Sequence, residues 1–131
     1  MVTGRSGPAV VSTKVQGDEA EGRALTWLQA RGLVLVQRNY RVARGPRLRG
    51  GEIDLVMREP DGTLVFVEVR ARAGFSHGGA AASVSVSKQR SLLLAARHFL
   101  QRYASPPPCR FDVLAVEGEQ LTWLRAAFDE G

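Results

Sequence analysis

Asp54 and Glu68 are the residues of this chain best suited to chemistry, because the sequence predicts that they face each other across a β-hairpin. The segments Glu52–Arg58 and Leu64–Arg70 have the composition of strands, and the turn residues Pro60-Asp61-Gly62 lie between them. A three-residue loop with glycine at its left-handed position is a common hairpin connection. Such a loop sets a register that pairs Asp54 with Glu68.

The same register places Glu52 opposite Arg70. Directly opposed side chains of a hairpin share one face, with Cβ atoms roughly 4.5–5.5 Å apart. Two carboxylates at that distance repel each other unless a cation or a proton lies between them. Because Mg²⁺ takes oxygen ligands, Asp54 and Glu68 predict a site for this ion, with Mn²⁺ as a substitute. The alternative is a solvent-exposed hairpin end with a Glu52–Arg70 cross-strand pair.

Alternation of residue types along the hairpin predicts how its strands are buried. One face carries only apolar side chains, which indicates packing against a core. The acidic face also carries apolar residues, so we expect it to be partly covered. The apolar face comprises Ile53, Leu55, Met57, Val65, Val67 and Val69, and the apolar members of the acidic face are Val56, Leu64 and Phe66.

The rest of the chain predicts an α/β fold in the order helix, three strands, helix, two strands. Residues 1–16 are expected to form a flexible N-terminal tail, followed by a single domain at 17–131. Helices in this order can cover both faces of a mixed β-sheet. Apart from the hairpin, the predicted elements are a helix from Asp18 to about Arg31, a strand Leu33–Tyr40, a helix that is capped by Ser87 and ends near Tyr103, and strands Arg110–Val116 and Gln120–Arg125.

Composition narrows the classes of function. The 131 residues carry a net charge of +5, mostly from arginine, which favours nucleic-acid phosphate as a partner. A single cysteine, Cys109, excludes an intrachain disulfide and a cysteine-cluster zinc site. The sequence has neither an apolar run of membrane-spanning length nor a signal-peptide pattern, so we expect no membrane partner and a cytoplasmic location. The oligomeric state stays open, with a homodimer among the alternatives.

Two basic clusters are candidates for phosphate contacts. One is the loop Arg41–Gly51, which directly precedes the acidic strand. The other is the first turn of the second helix, where free backbone N–H groups attract anions. Solvated surface charge is the alternative explanation for both clusters. The candidate nucleic-acid-binding residues are Arg41, Arg44, Arg47, Arg49, Lys88, Gln89 and Arg90.

Glu21 and Arg70 are further candidates beside the acidic pair. Glu21 borders the apolar stripe of the first helix and could point toward the sheet, although Asp18 three residues earlier also fits a capping box. Arg70 lies on the same side of its strand as Glu68. A guanidinium there can hold a phosphate or stabilise negative charge, but it cannot serve as a general base.

Several of these segments together resemble the YraN family of bacterial proteins, and the match extends over about residues 17–128. This family is regarded as restriction-endonuclease-like, within the PD-(D/E)xK superfamily, and as similar to archaeal Holliday-junction resolvases. The matching blocks are Ala20-Glu21 through Trp27-Leu28, Gly32, Arg38-Asn39-Tyr40-Arg41, Gly51-Glu52-Ile53-Asp54-Leu55, Phe66-Val67-Glu68-Val69-Arg70, Lys88-Gln89-Arg90, Arg110-Phe111-Asp112-Val113 and Ala127-Phe128.

The resemblance implies a role for each matching residue. Asp54 corresponds to the metal-binding aspartate of the superfamily, Glu68 to its second acidic ligand, and Glu21 to the glutamate of the first resolvase helix. Arg70 stands where the superfamily usually has lysine. These assignments imply a restriction-endonuclease-like fold with a mixed β-sheet flanked by helices.

From the residues and the resemblance together, we expect a Mg²⁺-dependent nuclease that hydrolyses phosphodiester bonds in nucleic acid, with branched or damaged DNA as candidate substrates. Asp54, Glu68 and the Val69 carbonyl would hold the metal, and Glu52 or Glu21 would orient water or a second ion. Because Arg70 replaces the usual lysine, a non-catalytic nucleic-acid-binding protein on the same scaffold is the alternative.

Overall fold

The protein is an α/β structure whose elements follow the order predicted from the sequence. The computed structural model describes residues 13–46, 50–71 and 84–129, with side chains from Gly17 onward. None of the helices within these ranges is long and apolar enough to cross a membrane. The elements are α1 (Thr13–Gln29), β1 (Val34–Val42), β2 (Gly51–Arg58), β3 (Leu64–Ala71), α2 (Val86–Leu100), β4 (Cys109–Glu117) and β5 (Gln120–Phe128).

Within the described ranges, five strands form one mixed sheet in the order β1-β2-β3-β4-β5. Neighbouring strands are antiparallel except β3 and β4, which are parallel, and α2 lies in the connection between them. The β2–β3 ladder runs from the pair Leu55–Val67 to the pair Arg58–Leu64. The register predicted from the hairpin loop is therefore confirmed over these pairs.

The boundaries of α2 differ from the prediction at both ends. Its N-cap is Ser85, whose hydroxyl accepts a hydrogen bond from the Lys88 N–H at 3.1 Å, so the assignment of this cap to Ser87 was wrong. A cap side chain reaches the N–H three residues later, and only Ser85 stands three residues before Lys88. The helix ends at Leu100 rather than near Tyr103, because the following N–H groups bond to carbonyls three residues back.

In the described part of the chain, one helix covers each face of the sheet. On the α2 face, the buried cluster includes the predicted covered residues Val56, Leu64 and Phe66. The α1 face buries the predicted apolar stripe of the hairpin, with helix residues packed against it. This second cluster comprises Ala24, Leu28, Leu33, Leu55, Met57, Val65, Val67 and Leu114.

Ile53 is an exception to the predicted pattern, since it packs with α2 rather than on the face of Leu55. Strands β1 and β2 both change face at this point. The neighbouring pairs Arg38–Leu55 and Tyr40–Ile53 flank Asn39, whose φ of 51° is left-handed. Asparagine tolerates this conformation better than most residues, and the local turn of the backbone explains why simple alternation failed here.

The close approach of α2 to the sheet depends on Gly51. A Cβ atom at this position would lie 2.7 Å from both the Ala95 nitrogen and the Ser91 carbonyl oxygen. Both of these atoms belong to the helix backbone, so they cannot move aside independently. Gly51 therefore lets the start of β2 lie directly beneath α2.

Gly51→Ala should destabilise the protein by about 1–3 kcal/mol, the usual range for overpacking a tightly packed site. Gly22→Ala is the matched control, because its Cβ would meet nothing within 4 Å in the middle of α1. That change should stabilise the helix by roughly 0.5–1 kcal/mol. Urea unfolding of both variants measures the difference, and equal stability of the two variants would contradict the packing argument.

Candidate functional site

The candidate site lies where β2 and β3 separate. Beyond the pair Leu55–Val67, the Val69 N–H donates to Asp54 Oδ2 at 2.8 Å. The β2–β3 ladder ends at Leu55–Val67 and does not pair Asp54 with Glu68. Both side chains nevertheless line one cavity of about 300 Å³. The separation of the strands makes room for side-chain atoms at the end of the hairpin. It brings together the two carboxylates that the sequence singled out.

Glu68 is the most deeply buried carboxylate of this cavity, with 2% of its surface exposed. Its Oε1 atom has no hydrogen-bond partner among the described residues. Burial and the negative charge of Asp54 raise the pKa of Glu68 to about 8. At neutral pH and without a bound cation, the Glu68 carboxyl is therefore mostly protonated.

Asp54 shares this environment. Burial raises the pKa of Asp54, while the hydrogen bond from the Val69 N–H and a hydrogen bond with Glu68 act in the opposite direction. A buried and a partly buried carboxyl group side by side favour a proton held between them, because ionising both carries a large free-energy cost. A divalent cation relieves the same repulsion when it replaces that proton.

Two cationic side chains border the carboxylate pair. Lys88 Nζ lies 3.8 Å from Glu68 Oε1, and Arg70 Nη1 lies 3.7 Å from Glu68 Oε2. Burial acts to lower the pKa of Lys88, but the carboxylates of Glu68, Asp54 and Glu52 outweigh it and raise that pKa above its usual value. Lys88 is therefore a permanent ammonium in this site and not a proton acceptor.

Glu52 occupies a different position from the one predicted. Its carboxylate accepts hydrogen bonds from Arg41 Nε at 3.1 Å and from Lys88 Nζ at 3.3 Å. Arg70 pairs with Glu68 instead, so the expected Glu52–Arg70 cross-strand pair was wrong. The reason is that the β2–β3 ladder ends before it reaches these two residues.

Glu21 points toward Asp54 from the middle of α1. The helix begins at Thr13, five residues before the predicted start at Asp18, so the capping-box alternative was wrong. Burial and the charge of Asp54 raise the pKa of Glu21. Asn39, with its amide oriented to satisfy both groups, donates to the two Glu21 oxygens at 3.2 and 3.3 Å.

The basic candidates fall into separate groups. Arg41, Arg44 and Lys88 line a second cavity of about 800 Å³, which also includes Arg70 and adjoins the carboxylate cavity. Arg90 is exposed on α2. Gln89 points elsewhere, since its amide donates to the Val84 carbonyl at 3.1 Å and it lines a cavity beside β4 and β5. The remaining candidates, Arg47 and Arg49, lie outside the described residues.

The carboxylate cavity has a donor set that suits Mg²⁺. In the described ranges, no three histidine, cysteine or carboxylate side chains are grouped so as to hold a metal ion. Mg²⁺, however, is commonly bound through one or two carboxylates plus water and substrate phosphate. Asp54, Glu68 and Val69 all line the cavity, and the unpartnered Glu68 Oε1 is an available oxygen ligand.

Sequence comparison identifies the family. Residues 20–116 match the family model described as Uncharacterised protein family UPF0102. The chain belongs to this family. It is 68% identical over 120 residues to a UPF0102 protein of Methylibium petroleiphilum, an alignment that covers 92% of this chain and 98% of that protein. It is 57% identical over 134 residues to a UPF0102 protein of a Polaromonas species, covering 95% of this chain and 88% of the relative.

UPF0102 is the YraN family, so the resemblance drawn from the sequence is confirmed at family level. A further UPF0102 protein, from Albidiferax ferrireducens, is 60% identical over 120 residues, covering 92% of this chain and 91% of the relative. These relatives span nearly their full length in the alignments.

Asn39 is a site residue that reasoning from the individual residues missed in this UPF0102 chain. Asn39 was named only within the segment Arg38-Asn39-Tyr40-Arg41 that resembles the YraN family, although its amide lies beside Glu21. An asparagine inside an otherwise strand-like segment was the available signal, because asparagine accepts left-handed φ values. Nothing in the local pattern could show that this amide would lie beside a residue of α1.

The raised pKa of Glu68 predicts a pH-dependent stability. Its neutral form is favoured in the folded protein, so this contribution is complete below the unfolded pKa of about 4.5 and is lost as the pH rises through about 8. Glu68→Gln mimics the neutral form. The free energy of unfolding of wild type should therefore fall relative to this variant between those limits, by at most about 1.4 kcal/mol per pH unit for one proton.

Urea unfolding at several pH values measures this difference. Glu119→Gln is the control, because it removes an exposed carboxylate from the turn between β4 and β5 and should follow the wild-type pH profile. Parallel profiles for wild type and Glu68→Gln would show that Glu68 keeps an ordinary pKa.

Proposed function

We propose that this protein is a Mg²⁺-dependent nuclease that hydrolyses phosphodiester bonds in nucleic acid, with branched or damaged DNA as candidate substrates. The observation that carries the proposal is the pair of partly buried Asp54 and buried Glu68, in which Glu68 Oε1 has no hydrogen-bond partner among the described residues. A hard cation bound there would satisfy that oxygen and remove the repulsion between the two acids. The adjoining cavity with Arg41, Arg44 and Lys88 supports a polyanionic substrate.

Asp54, Glu68 and the Val69 carbonyl would hold the metal at the end of the hairpin. When bound, Mg²⁺ supplies Lewis-acid polarisation of the scissile phosphate and lowers the pKa of an attacking water. Glu21, which lines the same cavity, would orient that water through its carboxylate. Burial and the charge of Asp54 raise its pKa, which favours a role in accepting the proton of that water.

Arg70 and Lys88 would stabilise the negative charge that develops on the phosphate. Both stand at the boundary between the carboxylate cavity and the basic cavity. Lys88 also provides an ammonium group beside Glu68, although residue 70 is arginine. Because Lys88 stays protonated and a guanidinium does not lose its proton, neither group would take the proton of the water.

Membership of the restriction-endonuclease-like superfamily is part of this proposal. The acid pair on a hairpin, flanked by one helix on each face of a mixed sheet, supports it. Fold similarity alone does not establish an activity. The side-chain arrangement at Asp54 and Glu68 therefore carries more weight than the architecture.

A non-catalytic nucleic-acid-binding protein is the second candidate. The specific observation in its favour is Arg70 at the position where the superfamily usually has lysine. In addition, the negative charge of the acid pair is already balanced by Lys88, Arg70 and a proton on Glu68. Binding through the basic cavity would need no metal.

The metal site is tested by calorimetric titration of Mn²⁺. Wild type should bind one ion at this site, and Asp54→Asn should lose that binding, because a neutral amide cannot replace a carboxylate as a charged ligand. Glu119→Gln, which removes an equal charge from a distant exposed turn, should bind like wild type. Equal binding by wild type and Asp54→Asn would refute the proposed ligand set.

The nuclease is tested by single-turnover cleavage of linear, flapped and four-way DNA. Arg70→Gln should lose on the order of a hundredfold in rate, the scale of removing one transition-state donor. Arg70→Lys should keep part of the rate because it retains a cation, and Asp54→Asn should lose essentially all activity. Thermal melts check that the variants fold.

Two outcomes would contradict the nuclease proposal. Equal, metal-independent cleavage by wild type and Asp54→Asn would indicate a contaminating enzyme. Binding of DNA by wild type without cleavage in Mg²⁺ or Mn²⁺ would favour the non-catalytic candidate.

A further inference from the structure

The carboxylate of Glu52 lies inside the basic cavity and is held there by two cations. Arg41 Nε donates to one of its oxygens at 3.1 Å, and Lys88 Nζ donates to the other at 3.3 Å. The same cavity is lined by Arg44, by three serines of α2 and its N-terminal approach, and by glycines of the β1–β2 connection and the start of β2. The Glu52 carboxylate is thus the anion that Arg41 and Lys88 share within the protein.

We propose that Glu52 is a placeholder for a substrate phosphate, so that the Arg41–Lys88 pair forms a second phosphate subsite next to the carboxylate cavity. This inference rests on the proposed function, which places another phosphate at Asp54 and Glu68. A phosphate presents two oxygens to two neighbouring cations as a carboxylate does. On binding, the substrate phosphate displaces Glu52 and takes over its two partners.

Exposure of the three side chains makes this exchange feasible. The exposed fraction is 70% for Arg41, 35% for Glu52 and 28% for Lys88. Ion pairs that remain in contact with solvent contribute little to stability and are screened by salt. Glu52 can therefore leave its partners without a large loss of folding energy, while still competing with a weakly bound anion.

The position of Lys88 defines the class of ligand. Its Nζ lies 3.3 Å from Glu52 Oε1 and 3.8 Å from Glu68 Oε1, so the two acidic side chains are separated by less than the sum of these distances. The two phosphate positions are therefore adjacent and share one ammonium. A ligand that fills both must carry neighbouring phosphates, which is a property of a polynucleotide strand and not of a nucleoside monophosphate.

Glu52 consequently competes with the ligand, so only a ligand that offsets the displacement of Glu52 binds at this subsite. An isolated phosphate must compete with the Glu52 carboxylate at one subsite only. A strand that engages the adjoining cavity at the same time gains a second contact that offsets the displacement. Removal of the Glu52 charge should then strengthen binding to nucleic acid, whereas a residue that merely positions Arg41 and Lys88 would weaken binding when it is changed.

The test measures binding of a fluorescent single-stranded oligothymidylate in low salt and EDTA, so that cleavage plays no part. Glu52→Gln should bind roughly two- to tenfold more tightly than wild type, as expected from freeing two weak ion pairs. The gain should be lost in the double variant Arg41→Gln/Glu52→Gln, because the freed cation is then absent. Thermal melts check folding, and Arg41→Gln alone completes the double-mutant cycle.

Glu119→Gln is the matched control for net charge. It removes the same charge from the exposed turn between β4 and β5 and should leave the affinity close to that of wild type. An equal gain with Glu119→Gln, weaker binding by Glu52→Gln, or no detectable binding by any variant would overturn the placeholder role. Tighter binding by Glu52→Gln in a protein that never cleaves DNA would uphold it while refuting the nuclease proposal.

Discussion

The constraint on which the structure depends most is the placement of two neighbouring carboxyl groups, those of Asp54 and Glu68, in a largely buried site. Burial disfavours the charged form of Glu68, and the neighbouring Asp54 adds to this effect. The protein offsets the cost with the Val69 N–H and with the cations of Lys88 and Arg70. One oxygen of Glu68 nevertheless has no hydrogen-bond partner in the part of the chain that the structure describes. This incomplete compensation distinguishes the cluster from a closed ion-pair network, and the proposed metal site rests on it.

Asp112 provides the contrast within the same molecule. It is fully buried, yet its oxygens accept hydrogen bonds from Arg110, from the indole of Trp123 at 2.8 Å and from the Ala126 N–H at 2.9 Å. Such a satisfied carboxylate fixes the packing of β4 against β5 and leaves no ligand to offer. Glu68 is buried to almost the same degree but lacks this full set of donors. The difference in hydrogen bonding, rather than in burial, marks Glu68 as the candidate ligand of the proposed metal site.

The fold builds the site by bringing two helices to the open end of one hairpin. Helix α1 supplies Glu21 from one side of the sheet, and α2 supplies Lys88 from the other. Gly51 allows α2 to lie directly against β2, because a side chain there would collide with the helix backbone. The left-handed φ of Asn39 turns the backbone of β1, and the Asn39 amide lies beside Glu21. Each helix thus adds one ionisable side chain to those of the hairpin, Glu21 from α1 and Lys88 from α2.

The sequence by itself determined the order of the elements and the hairpin register from Leu55–Val67 to Arg58–Leu64, and it singled out Asp54 and Glu68, which line one cavity. These features are local, since turn residues and strand alternation act over a few neighbouring positions. Sequence patterns failed at Ile53, at the Ser85 cap and at the partners of Glu52. Only the tertiary structure decided that Lys88 would lie beside Glu68. That contact joins residues far apart in the chain and depends on backbone separation and helix packing, which have no signature in local patterns.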